Sequence, residues 1–151
     1  MSASDDAMIA DLIAAMERHL ERLSAAVRWH HTAVGRAPSP NRLVSAGWAY
    51  RTGLTELEIS GPALTMDPAF LSAAIRAATG EARRDLLRQA NTLVTEVRRE
   101  AEDLLDRLDT VLALDLPDDG REVLHNARDW WRGYVDSLLK MDDNLRYLTA
   151  D

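Results

Sequence analysis

The stretch from Leu87 to Val111 constrains this chain more than any other. Leu87, Ala90, Val94, Val97, Ala101, Leu104, Leu108 and Val111 follow at alternating steps of three and four. That is the a/d seam of a helix packed along its length against other helices. Most of what lies between them is charged or polar. One helix cannot bury its own stripe, so the rest of the chain must supply partners. The pattern therefore predicts an all-α fold, an antiparallel four-helix-type bundle of long heptad-patterned helices with one extra short helix.

The remaining segments are read by the same rule. Ser2 or Ser4 can cap a first helix, with Asp5 and Asp6 at its positive end. Ile9, Ile13, Met16, Leu20, Leu23, Val27, His30 and Val34 give it an unbroken seam up to Gly35. Pro38 and Pro40 mark a loop. Ser39-Pro40 then reads as cap and first residue of a second helix, with Leu43, Gly47, Tyr50, Leu54 and Leu57 as its seam. Gly47 and Gly53 each weaken that helix by about 1 kcal/mol. Asp67-Pro68 opens a short third helix. The long seam falls out of phase when extended back past Gly80, so a break is expected there, a continuous kinked helix being the alternative. Leu124, Ala127, Trp131, Tyr134, Leu138, Met141, Leu145 and Leu148 form the last seam. The expected organisation is a single domain over 1–151, with helices at about 4–34, 40–60, 67–79, 81–114 and 118–149.

Composition narrows the function classes. The 151 residues include no cysteine, so disulfides and thiolate metal sites are excluded. The net charge is −7, with both signs interspersed, and no basic stripe exists for a phosphate backbone, so no nucleic-acid partner is expected. Lys140 is the single lysine among 18 basic residues, a preference for arginine that points to a GC-rich bacterial genome. No stretch approaches the roughly 20 apolar residues of a membrane span. The start of the chain lacks a signal peptide's charge and apolar run, so a cytoplasmic location is expected.

No motif carries recognisable chemistry, and neither catalytic residues nor a cofactor is expected. Glu122-Val-Leu-His125 has the Glu-x-x-His spacing of di-iron bundles, but with Leu124 and Ala127 on the seam both ligands face away from the core. Glu100-Ala-Glu-Asp103 is similar to half of the magnesium-binding motif of all-α nucleotide pyrophosphatases, yet Ala101 holds the seam position and no partner motif precedes it. His30, with His31 beside it, is the one histidine on a seam. A metal- or small-ligand-binding bundle using His30 is therefore one alternative reading. The tryptophans say more. Trp131 belongs to its seam, whereas Trp29 and Trp48 fall outside theirs and Trp130 lies at an edge. Aromatics on polar faces are enriched where partners dock. Trp29, His30, His31, Val44, Trp48 and Trp130 are the expected partner-binding residues.

Trp131-Arg-Gly133 and the terminal Tyr147-Leu-Thr-Ala-Asp151 resemble the Trp-x-Gly turn and Tyr-x-x-x-Asp tail of the small helical-hairpin proteins exported by type VII secretion. In that family the turn joins two helices, while here it falls within a continuous seam. The resemblance implies a second alternative, an exported helical protein. The principal expectation is a non-catalytic protein-protein interaction or assembly module, such as an adaptor, an immunity-like inhibitor or a chaperone, that docks a protein partner or self-associates. Acidity favours a basic partner through electrostatic steering.

Overall fold

The computed structural model describes residues 2–149. Among these the order is α1 (Ala3–Thr32), β1 (Val34–Pro38), β2 (Val44–Ala49), β3 (Gly53–Ile59), a 3-10 turn at Gly61–Thr65, α2 (Pro68–Leu112) and α3 (Asp118–Thr149). The described residues are 76% helical, but three helices accompany a three-stranded antiparallel sheet, an α+β arrangement. This overturns the expected all-α four-helix-type bundle. The residues assigned to a helix at 40–60 form strands, and α2 passes Gly80 without a break where two helices were expected.

The physical reason for the error lies in Leu43, Gly47, Tyr50, Leu54 and Leu57. Their spacing mimics a helical seam, but a turn at Tyr50–Thr52 separates Gly47 from Leu54, so the series spans two strands. The strand signal is the period-two alternation Glu56-Leu57-Glu58-Ile59, with Thr55 and Ile59 β-branched. The glycines that weaken a helix serve the sheet. Gly53 takes φ +74°, the left-handed conformation that closes the β2–β3 hairpin. Gly47 stands between Arg36 on β1 and Glu56 on β3. A Cβ there would come within 2.9 Å of the Glu56 carboxylate.

The chain divides into two compact units. One comprises residues 1–26 and 93–144, the other 27–92 and 145–151. In the first, Leu12 and Ala15 of α1, Ala101, Leu104, Leu108 and Val111 of α2, and Trp131, Val135 and Leu138 of α3 make the core. Trp131 is 1% exposed, and its indole N–H donates to the Ala101 carbonyl at 2.8 Å, so the largest core side chain has no orphan donor. Ser2 caps α1: its hydroxyl accepts from the Asp5 N–H while the Asp5 carboxylate accepts from the Ser2 N–H. α1 does not bury the seam expected of it. Leu12, Ala15 and His19 go inward, whereas Ile13 is 50% and Leu20 42% exposed. Leu12 and His19 each precede an expected seam residue by one position, a rotation of about 100°.

In the second unit one face of the sheet packs on the start of α2. Ala37, Val44 and Ala46 meet Ala74, Ala78 and Ala82, three alanines four residues apart that let the backbones approach. The contact is tightest at Gly35. A Cβ there would collide with the Ala82 carbonyl oxygen and lie 2.8 Å from the Leu86 Cβ. Gly35→Ala should therefore destabilise the chain at or beyond the upper end of the roughly 1–3 kcal/mol cost of overpacking. The check is a urea melt, with Gly61→Ala, where a Cβ meets nothing within 4 Å, as the neutral control.

Candidate functional site

The rotation of α1 brings a polar cluster together in the helical unit. His19 is 1% exposed, and both ring nitrogens are bonded: Nδ1 lies 2.7 Å from Glu100 Oε1 on α2 and Nε2 lies 2.6 Å from the Tyr134 hydroxyl on α3. Glu100 also accepts from Arg22, at 3.0 Å from Nε and 2.6 Å from Nη2. With Glu100 ionised, Nδ1 must donate to it. The neutral ring then accepts the Tyr134 proton at Nε2. Burial raises the Glu100 pKa, but hydrogen bonds from Arg22 and His19 and the Arg22 charge outweigh it, leaving the carboxyl below its ordinary value. Burial, followed by repulsion from Glu100, pushes the Tyr134 hydroxyl up to about 12.

Carboxylate, imidazole and hydroxyl stand in the order of a general-base relay. A phenol held protonated until about pH 12 is a poor nucleophile at neutral pH. What the chain of bonds does is tie α1, α2 and α3 to one another through a residue that water does not reach. None of its members was expected as a site. The available signal was a shift of the α1 stripe by one position, which puts His19 level with Tyr134 on one side and Glu100 on the other.

The expected partner-binding residues are divided between the two units. Trp29, His30, His31, Val44 and Trp48 belong to the sheet unit and Trp130 to the helical unit. Val44 is 1% exposed and Trp48 packs against the sheet core. The half-buried His30 ring lies 4.1 Å from Tyr50 and 5.9 Å from the exposed His31. Among the described residues no group of three or more His, Asp or Glu is arranged to hold a metal ion. Glu122 and His125 are both exposed. Trp130 is 60% exposed and stacks on Tyr134, with centroids 5.7 Å apart and planes at 22°. The Trp131-Arg-Gly133 triplet lies inside α3, and Tyr147 is 80% exposed, while Ala150 and Asp151 lie outside the described residues. No described helix is long and apolar enough to cross a membrane.

The sheet's two edges differ. β1 is closed: the Arg36 N–H donates to the Asp85 carboxylate of α2 at 3.0 Å, Pro38 has no N–H, and Gly35 is pressed on the helix. β3 is open. Leu57 stands opposite Ala46 and Leu54 opposite Trp48, so both leucines lie on the helix-facing side. They are nevertheless 40% and 43% exposed, against 4% for Ala46. α2 covers β1 and β2 and leaves the β3 strip bare. On the opposite face Arg36 grips Glu56 across Gly47 with two bonds, 3.0 Å from Nε and 2.9 Å from Nη2. That pairing lowers the Glu56 pKa and raises that of Arg36.

Comparison with known protein families, curated proteins and solved structures finds no match.

Two titrations check the polar cluster. Because the folded Glu100 pKa is depressed, its stabilisation is present above the unfolded value near 4.5 and is lost as pH falls through the folded pKa. Glu100→Gln should flatten the acid limb of a stability-against-pH curve. Tyr134 should ionise near pH 12 in an ultraviolet absorbance titration, and Tyr134→Phe should remove that step.

Proposed function

We propose that this protein is a non-catalytic interaction and assembly module, and that it joins a second copy of itself through β3. The observation that carries this reading is the asymmetry of the sheet. Helix, carboxylate and proline close the β1 edge, whereas β3 offers an unpaired ladder flanked by two half-exposed leucines. An open edge strand is a template for strand addition. Gly53–Ile59 contains no proline and no lysine; its charges are Glu56, which Arg36 pairs, and Glu58, and its register against β2 shifts once, between Gly47 and Trp48.

A second copy fits this edge better than an arbitrary strand. Antiparallel pairing about a two-fold axis sets the start of one β3 beside the end of the other. Exposed Arg51, at the hairpin, then approaches Glu58 of the second copy, and the two leucine strips meet across the axis. Glu56 sits near the centre of the strand, where it would face its own equivalent. Its pairing with Arg36 neutralises that repulsion. The resulting interface sets leucines on one face and charges on the other, and the two-fold axis makes it self-complementary.

The wild-type chain should therefore run at twice its chain mass in light scattering at micromolar concentration. Leu57→Lys, which places a charge in the strip without touching the buried core, should convert it to a monomer with unchanged helicity. A monomeric wild type, or a dimer indifferent to Leu57→Lys and Leu54→Lys alike, would refute the proposal.

A further inference from the structure

Ile13, Met16 and Leu20 stand on α1 at i, i+3 and i+7, the spacing by which one helix offers itself to another. The α1 rotation that buries His19 leaves Met16 at the margin of the core and Ile13 and Leu20 half exposed. Facing them, α3 presents Ala127 and Trp130, and between the two helices lies an apolar cavity of about 350 Å³. Trp130 is held in place despite its exposure, stacked on Tyr134 and 5.8 Å from the Trp131 ring. An exposed but pre-positioned indole loses little conformational freedom when covered, which is the property of an interface anchor.

Charge decides what covers it. Glu17 is the one charged residue lining the cavity, and it has no hydrogen-bond or ion-pair partner among the described residues. Seating the α1 stripe of a second copy here would bring Glu17 against its own equivalent beside apolar walls that exclude water, where repulsion is least screened. An anionic lipid surface is disfavoured by the net charge of −7. A helix whose apolar stripe is bordered by arginine or lysine satisfies both features of the groove. We propose that the α1/α3 groove docks an amphipathic, basic-flanked helix of a partner protein. Large apolar residues at i, i+3 or i+4, and i+7 lie against Ile13, Leu20 and Trp130, and an arginine or lysine beside them meets Glu17. From Ile13 to Leu20 the groove spans roughly 10.5 Å, so about two to three turns of the partner engage. The partner helix completes a fourth wall on a unit that has three, the commoner helix-bundle arrangement.

This surface is separate from the β3 edge, and the experiment keeps the two apart. A displayed library of stapled 18-residue helices, with a fixed leucine stripe and randomised flanking charge, is selected against the full-length chain. The expected result is enrichment of arginine- or lysine-flanked helices. Those helices should bind about tenfold more weakly to Trp130→Ala and to Glu17→Lys, and with unchanged affinity to Leu57→Lys. Acid-flanked versions of the same helices should recover binding to Glu17→Lys. Trp130 contributes exposed surface and not core, so thermal melts of its variant should match wild type. No enrichment, enrichment of neutral or acidic helices, binding that ignores Trp130→Ala, or a wild-type dimer lost in Trp130→Ala would each overturn the proposal.

Discussion

The contact of Gly35 with the backbone of α2 fixes how the sheet unit is built. Because a strand lies against the Ala82–Leu86 turn with no side chain between them, α2 is held over β1 and β2 and cannot also reach β3. The three alanines at Ala74, Ala78 and Ala82 extend that approach along two helical turns. The consequence is an unequal sheet. On the covered side Val44 and Ala46 are almost wholly buried, while Leu54 and Leu57, on the same face one strand further out, retain much of their surface. Asp85, within the same turn, then reaches the Arg36 N–H and seals the near edge. One steric fact thus determines both which edge is closed and which apolar strip is left for another chain.

The helical unit solves a different problem. Its core is conventional, Leu and Val around one large indole whose N–H is satisfied by a helix carbonyl. A polar residue sits within it all the same. His19 is tolerated at 1% exposure because both ring nitrogens are bonded, one to a carboxylate that Arg22 also holds and one to a phenol. A half-satisfied imidazole would be costly there. The cluster specifies the rotation of α1, and that rotation turns Ile13 and Leu20 outward.

Two of the helical stripes were legible in the sequence while the fold class was not, and the failures have identifiable causes. The stripe from Ala101 to Val111 and the stripe around Trp131 and Leu138 do face cores, because long heptad patterns with charged intervals leave little ambiguity. Residues 34–59 were misread because short strands joined by a turn imitated a helical spacing, and because two glycines were counted as helix defects and not as the features a tight hairpin and a cross-strand ion pair require. The phase of α1 was misread because its apolar residues support two neighbouring stripes. Only tertiary bonding of His19 chooses between them. Of the aromatic residues singled out, Trp130 is the one presented to solvent on a defined surface, whereas Val44 is core and Trp48 packs on core. The open edge of β3 was invisible without first knowing that the segment is a strand.

The central claim is that β3 is an assembly edge, and amide hydrogen exchange of the wild-type chain across a dilution series tests it most directly. Pairing would protect the outward amides of Gly53–Ile59 at high protein concentration and release them on dilution, with the β1 amides unchanged because Asp85 and the helix already shield that edge. Exchange at β3 that is fast and independent of concentration would contradict the account.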